Sequence, residues 1–189
     1  SPLDTYVYRL ARASLCAMRG KHEEALGEAF AAVGVLPDLA DAYFVATEAF
    51  YLLGKWDSCV AFYEIGRAKK PTLLSKDQPL YHFVQPRVQA AMAWGNLQEP
   101  EKGLVLAQEA LALYPKNELA REGVTRLRAV LEKKKAVAAY LDLAEFFIDK
   151  GFGDRADTML LQVPVPLRGV EAMPRYRALK IRADALYTS

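Results

Sequence analysis

The chain has 189 residues, which is enough for one ordinary domain with a hydrophobic core. With 52% hydrophobic residues, 25% charged residues and a net charge of +2, its composition is globular and gives no basic excess for binding nucleic acid. No apolar run approaches the roughly 20 residues of a membrane span and no secretory signal is visible, so we expect a cytoplasmic protein without a membrane partner.

The first part of the chain carries markers that recur at an interval of 34 residues. Glycine ends one helical stretch, a small residue lies inside the next, and proline closes that next helix. The pairs are Gly20 and Gly54, Ala25 and Cys59, and Pro37 and Pro71. This periodicity predicts a repeated helix-turn-helix unit, in which Cys16 and Cys59 are reduced thiols at core positions.

Each of the first two units predicts two amphipathic helices. Apolar residues recur at helical spacing, and glycine or proline ends each run. Asp38 is placed to cap the third helix. The predicted helices are a stretch through Tyr6 to Gly20, His22 to Leu36, a stretch after Asp38 to Gly54, and Trp56 to Lys70.

An insertion separates the second unit from the third. Pro115 follows Pro71 by 44 residues, which is one 34-residue unit plus ten. The additional residues are Leu74 to Phe83, which include several turn-forming side chains. Val84 to Leu97 and Pro100 to Tyr114 then predict the third helix pair.

The pattern stays helical beyond this third unit. No stretch alternates with a period of two, so a sheet is not expected, and Asn117 is placed to cap the next helix. The predicted helices are Asn117 to Lys134, Ala136 to Lys150, Ala156 to Leu161 and Met173 to Tyr187. We therefore predict an all-α chain with three repeats in residues 1–115 and further helices in residues 116–189.

These units resemble the tetratricopeptide repeat (TPR) family. The second unit matches best, at Tyr43, Thr47, Phe50, Gly54, Cys59, Tyr63, Gly66 and Pro71. The first matches at Ala13, Gly20, Ala25, Ala32 and Pro37, and the third at Ala91, Trp94, Gly103, Ala107, Ala110 and Pro115. Gln98 stands where the turn glycine is expected, and Tyr140, Ala144, Phe147, Gly151 and Ala156 resemble a degenerate fourth unit. The resemblance implies an α-solenoid of TPR-like helix-turn-helix repeats with extra C-terminal helices.

A narrower resemblance concerns the order of these parts. Two intact repeats, an insertion that contains proline and leads to Tyr81 and Pro86, and a third repeat are similar to helical regions attached to bacterial and phage glycosyltransferases or methyltransferases. This resemblance implies an accessory or oligomerisation domain of a larger enzyme, whose catalytic domain would lie elsewhere in a longer parent protein.

Residues that could support catalysis are few. Neither of the two histidines, His22 and His82, has a second histidine at metal-ligand spacing. We expect His22 to be an exposed residue in the first turn of a helix, and His82 to lie in a loop. Asp142, Glu145 and Asp149 share one helix face, where general acid–base chemistry is conceivable, but we expect a solvated surface. We predict no catalytic residue, no metal and no cofactor in this chain.

The C-terminal part of the chain contains two clusters of basic residues. Lys133, Lys134 and Lys135 are placed to solvate the junction between two helices, where positive charge suits a helix C-terminus. Arg175, Arg177, Lys180 and Arg182 could bind a phosphate or an acidic partner, but they spread around their helix.

In TPR arrays the first helix of each unit lines a concave groove that binds extended peptides. The resemblance implies that this groove contains Leu10, Ser14, Met18, Asp41, Phe44, Glu48, Tyr51, Gln85, Val88, Met92 and Asn96. For Phe44 and Tyr51 the interhelix core is an equally good expectation. Ser14, Phe44 and Glu48 occupy the positions where chaperone-binding relatives carry a clamp for a C-terminal carboxylate, which argues against that partner. A groove with apolar and acidic residues would suit an amphipathic or basic segment.

Three hypotheses about function follow. The first is a protein-interaction scaffold that binds a peptide, or a neighbouring domain of the same parent chain. The second is the accessory domain described above, with a homo-oligomer as an open alternative. The third, an enzyme in its own right, has the least support from the sequence.

Overall fold

The computed structural model of the protein describes residues 1–70, 81–164 and 172–187. Within these ranges it contains nine helices: α1 (Pro2–Met18), α2 (His22–Val35), α3 (Asp41–Leu52), α4 (Trp56–Arg67), α5 (Tyr81–Asn96), α6 (Pro100–Leu113), α7 (Glu118–Asp149), α8 (Gly153–Leu161) and α9 (Ala172–Ala185). In the same ranges the one β-type pairing is an isolated bridge between Leu39 and Lys70. The predicted all-α fold class is confirmed.

One recurring turn joins the helices of each pair. Its central residue has a positive φ, of 74° at Gly20, 69° at Gly54, 66° at Gln98 and 77° at Gly151. At each turn the N–H of the following residue donates to the carbonyl five residues earlier, over 2.8–2.9 Å, and this bond closes the helix end. The next helix begins two residues after the turn residue. The turns therefore lie where the sequence predicts them.

Small residues let the helices of the first pairs approach closely. Ala13, Ala25, Ala46 and Cys59 are fully buried in one core. Burial raises the pKa of the Cys59 thiol to about 12, so it is protonated at neutral pH and packs as an apolar side chain. Aromatic rings fill the remaining space, with 5.1 Å between the ring centroids of Phe50 and Phe62.

The helix contacts follow the order of a solenoid. Each of α1 to α5 packs on the next helix, and the first helices of successive pairs, α1, α3 and α5, also contact one another. Ion pairs also join the first two helices, α1 and α2. Glu28 of α2, whose side chain is only 12% exposed, pairs with Arg9 at 2.8 Å and with Arg12 at 2.9 Å.

The chain divides into two compact units, residues 1–128 and residues 129–189, and the boundary falls inside α7. The first unit contains α1 to α6 and the start of α7. The second has its own core, which includes Leu141 of α7, Leu160 of α8 and Leu179 of α9. The predicted boundary at residue 115 marks the end of the third sequence repeat and not the end of a compact unit, so it stays a prediction.

The predicted helix break at Lys134–Ala136 is wrong. α7 is continuous from Glu118 to Asp149, and the three lysines lie in its interior instead of at a helix end. The sequence from Val124 to Asp149 has neither glycine nor proline, and alanine, leucine, lysine and glutamate are strong helix formers. An ion pair of 3.1 Å between Lys135 and Glu132 lies along this stretch.

Three other boundaries differ from the prediction. Asp38 does not cap α3, because its backbone carbonyl accepts from the N–H of Lys70 and the helix begins after Ala40. α8 begins at Gly153, three residues before Ala156. α5 begins at Tyr81, three residues before Val84, and Pro86 lies inside it.

Because α5 begins at Tyr81, it overlaps the end of the predicted insertion, residues 74–83. The last three residues of the insertion, 81–83, are helical, so the backbone of His82 belongs to a helix and not to a loop. The rest of the insertion, residues 74–80, lies outside the described residues. The predicted cap by Asn117 is confirmed, because its Oδ1 accepts from the N–H of Ala120 at 2.9 Å.

Candidate binding groove

A pocket lies between α3, α5 and the beginning of α7, within the first unit. Its volume is about 130 Å³. The residues that line it are Tyr51 of α3, Gln85, Val88, Gln89 and Met92 of α5, and Leu119, Glu122, Gly123 and Arg126 of α7. The structure thus brings together Tyr51, Gln85, Val88 and Met92, which the sequence assigns to the groove.

Helical periodicity explains how α5 and α7 form the walls. Both supply residues at i, i+3, i+4 and i+7, and such residues lie on one helix face. Gly123 allows the two helices to approach here, because a Cβ at this position would lie 3.0 Å from Cγ1 of Val88. Tyr51 is held from the other side by Trp56, whose ring centroid is 5.5 Å away.

Charged and polar groups surround this apolar wall. The Gln85 amide donates to the Glu48 carboxylate at 2.9 Å, which brings Glu48, another predicted groove residue, next to the pocket. On α7, Arg126 pairs with Glu122. Burial raises the pKa of the Tyr51 phenol, and the positive charge of Arg126 offsets part of that rise.

Gln89 is the most unusual member of the pocket. The residue is only 8% exposed, and its Oε1 is buried without a hydrogen-bond partner in the described part of the chain. A buried polar atom without a hydrogen bond destabilises a folded protein, so such atoms are rare.

The α7 residues and Gln89 were not predicted from the sequence. A signal for them exists, because Gln85, Val88, Gln89 and Met92 lie 34 residues before Leu119, Glu122, Gly123 and Arg126, respectively. The start of α7 therefore takes the next position at the repeat interval, although none of these residue types recurs there. The predicted groove is limited to the three units that end at Pro115.

The other predicted groove residues lie elsewhere in the first unit. Leu10 packs against the core around Tyr6, and the Tyr6 hydroxyl lies 3.5 Å from the Asp41 carboxylate. Ser14, Met18 and Asn96 are exposed, Met18 by 85%.

Phe44 is buried against the other side of α3. It is 7% exposed, and its ring centroid lies 6.1 Å from that of Tyr63. Both rings border a second pocket, of about 200 Å³, that is lined by Ala40, Phe44, Tyr63, Gly66, Arg67, Lys69 and Arg87. The Nε–H of Arg87 donates to the Tyr63 hydroxyl oxygen at 2.8 Å. Phe44 thus lies in the interhelix core, one of the two locations expected for it.

In the second unit, the carboxylates of α7 pair with the arginines of α9. Arg175 lies 2.8 Å from Asp142 and 2.6 Å from Glu145, while Arg182 lies 2.6 Å from Asp149. Lys180 likewise pairs with carboxylates, those of Asp157 and Asp184. The acidic face is solvated as expected, since the side chains of Asp142, Glu145 and Asp149 are 66%, 42% and 60% exposed. The pairs add that Arg175, Lys180 and Arg182 are neutralised by neighbours within the protein.

The remaining candidates for chemistry are isolated. His22 is half-buried, not exposed as predicted, and its Nδ1 has no hydrogen-bond partner among the residues described. In the ranges that the structure covers, no three histidine, cysteine or acidic side chains are grouped to hold a metal ion. Cys59 is buried, Cys16 is half-buried, and the two are not bridged. Across those same ranges, every helix is too short or too polar to cross a membrane.

Stacked helix pairs with a groove along their first helices define the fold of the TPR α-solenoids. Among the solved structures that the chain resembles are TPR domains. It resembles the second TPR domain of human RPAP3, in complex with an HSP70 peptide (TM-score 0.56, 13% identity, 68% of this chain and 98% of that one). It also resembles the TPR domain of Arabidopsis OM64 (TM-score 0.57, 16% identity, 68% and 98%).

A third similar structure is the TPR2AB domain of yeast Sti1 in complex with pHSP90 (TM-score 0.57, 12% identity, 97% of this chain and 78% of that one). At such low identities the likeness establishes the fold. No protein-family model matches the sequence, and comparison with curated proteins finds no relative.

Proposed function

We propose that this chain is a non-catalytic scaffold that binds a peptide, or an extended segment of a neighbouring domain, in the groove along α1, α3, α5 and the beginning of α7. The observation that carries the proposal is the pocket in which α3, α5 and α7 meet, with apolar walls and a polar rim. Two similar TPR structures are complexes, one with an HSP70 peptide and one with pHSP90, which supports binding of another protein or peptide.

The charges of the groove favour a particular kind of segment. Glu48 and Glu122 border the pocket, and Asp41 lies on the same helix as Glu48. Acidic side chains attract basic residues and repel a carboxylate. We therefore infer an amphipathic or basic segment as the partner, and not the carboxylate tail of a chaperone.

Peptide selection on the full chain would test this function. We expect random dodecapeptides displayed on phage to yield binders enriched in basic residues. Their affinities, measured by fluorescence anisotropy, should fall about tenfold in Glu48→Lys and in Tyr51→Ala, because each removes a charge or an aromatic contact worth roughly 1.4 kcal/mol.

The matched control is Glu109→Lys, the same charge reversal at an exposed position of α6 away from the groove. It should bind the peptides like the unchanged protein, and all three variants should keep their circular dichroism. Normal binding by both Glu48→Lys and Tyr51→Ala would show that the groove is wrongly assigned.

The alternative function is an accessory or oligomerisation domain of a larger glycosyltransferase or methyltransferase. Its support is the order of repeats and insertion in the sequence, including Tyr81 and Pro86. A nucleotide-sugar or S-adenosylmethionine domain in the same reading frame would favour it, as would a stable dimer in analytical ultracentrifugation. For either function we propose a cytoplasmic location, which the unbridged thiols Cys16 and Cys59 support.

A further inference from the structure

The pocket between α3, α5 and α7 contains a hydrogen-bond acceptor that the protein itself does not use. Gln89 is 8% exposed and lines the pocket, and its Oε1 has no partner among the described residues. The terminal torsion of a glutamine is soft, so the amide can turn its oxygen toward a molecule in the pocket at small cost. A ligand that donates one hydrogen bond would satisfy this atom.

The walls of the pocket suit an aromatic ring. The volume of about 130 Å³ is close to that of apolar protein cavities known to hold benzene. Val88 and Leu119 are aliphatic, and Met92 brings a flexible thioether, which makes favourable contacts with aromatic edges. The Tyr51 ring forms one side and offers a further aromatic contact.

The charges in the pocket limit the kind of donor. Arg126 and Glu122 both line it and pair with each other, so no unpaired charge is left there to hold an ammonium group that loses its hydration. A neutral donor on an aromatic ring avoids that cost. Phenol O–H and indole N–H groups are the two such donors that amino-acid side chains provide without changing charge near pH 7.

We propose that this pocket binds one tyrosine or tryptophan side chain of the partner, with its ring between Tyr51, Met92 and Leu119 and its O–H or N–H donating to Oε1 of Gln89. The proposal rests on the proposed function, because it names the side chain that anchors the bound segment. It assigns specificity to Gln89 and to the start of α7.

Two small probes that differ by one hydroxyl group test the donor. 4-Methylphenol carries it and toluene does not. The chain has four methionines, so methyl-¹³C-methionine labelling of the full chain gives a simple spectrum. Met92 reports on the pocket, while Met18 on α1 and Met159 on α8 serve as internal references.

We expect 4-methylphenol to shift the Met92 signal saturably and to leave the reference signals in place. In the unchanged protein 4-methylphenol should bind more tightly than toluene. Gln89→Leu removes the acceptor, so the affinity for 4-methylphenol relative to toluene should fall about tenfold. Gln108→Leu, the same substitution at an exposed position of α6, should leave the ratio unchanged. Gln89→Ala replaces Gln89→Leu if leucine overfills the site.

Two results would overturn the proposal. The first is an affinity for 4-methylphenol relative to toluene that is the same in the unchanged protein and in Gln89→Leu. The second is a Met92 signal that neither probe shifts. Either result leaves the scaffold function standing if selected peptides still bind in a manner that depends on Glu48. Conversely, peptides that ignore the groove would contradict the scaffold function even if the probes bind as expected.

Discussion

Gln98 adopts the backbone conformation that glycine adopts at the equivalent turns. Its φ of 66° lies within a few degrees of the values at Gly20 and Gly54. A side chain in this region costs roughly 1–2 kcal/mol, because Cβ approaches the following carbonyl oxygen. The turn keeps its hydrogen bonds nevertheless, with Glu99 donating to the carbonyl of Trp94 at 2.9 Å. The stacking of the neighbouring helices therefore imposes this conformation on an unfavourable residue.

We predict that Gln98→Gly stabilises the protein by about 0.5–1 kcal/mol, the relief of strain less the greater entropy of glycine in the unfolded chain. The reverse substitution, Gly20→Gln, should destabilise it by about the same amount, since a Cβ there meets nothing within 4 Å and only the backbone is affected. Urea denaturation with an unchanged slope would measure both. A destabilised Gln98→Gly would mean that the glutamine side chain contributes more than its strain costs.

Single side chains in the pocket were only partly predictable. Helical spacing puts Gln85, Val88 and Met92 on one face of α5, and Tyr51 of α3 lies one interval of 34 residues before Gln85. The resemblance to TPR units then assigns this face to the groove. That Gln89 is buried with an unused oxygen could not be predicted, since it depends on what α7 places opposite.

At the scale of the helices, close packing depends on residues without a Cβ. A Cβ added to Gly103 of α6 would lie 2.3 Å from the backbone oxygen of Ala91 in α5. Backbone cannot rotate away as a side chain can, so the two helices would have to separate. This glycine is therefore a requirement of the helix pair, whereas Gly27 of α2 has no neighbour within 4 Å of the same point.

We predict that Gly103→Ala destabilises the protein by roughly 2–3 kcal/mol through overpacking. Gly27→Ala, the same change in a helix interior without a neighbour, should stabilise it by about 0.5–1 kcal/mol through helix propensity. Denaturant midpoints of the two variants provide the comparison. Equal effects of the two substitutions would show that α5 and α6 are farther apart than described.

The length of α7 was the main error at this scale. Helix ends are predictable where glycine, proline or a capping side chain marks them, as at Gly54 or Asn117. Near Lys134 no such marker exists, and the predicted junction there is accompanied only by the charge of three lysines. Charge is a weaker signal than backbone chemistry, because a lysine in a helix interior costs almost nothing.

At the scale of the whole chain, α7 belongs to two compact units. Residues 128–136 are exposed apart from the half-buried Leu131, and they lie between core residues Leu127 of the first unit and Val137 of the second. This stretch is helical through its own propensity and its ion pairs instead of through packing. The division at residue 115 and the degenerate fourth repeat stay predictions.

We predict that Lys133→Pro breaks the helix locally, at a cost of about 3 kcal/mol, and leaves both cores folded. Hydrogen exchange should show preserved protection at Leu106 in the first unit and at Leu160 in the second. Lys133→Ala is the control at the same position, and its exchange should match that of the unchanged protein. Loss of protection in either core would show that the units depend on a continuous α7.

The sequence by itself determined the helical fold and the turn positions, because glycine, proline and small residues act locally and recur at one interval. Only the tertiary structure decided how closely α3, α5 and α7 meet around the pocket, that Gln89 is left with an unused oxygen, and that Arg175 and Arg182 are neutralised by α7. These features join residues far apart in the chain, and their contacts depend on how the helices pack.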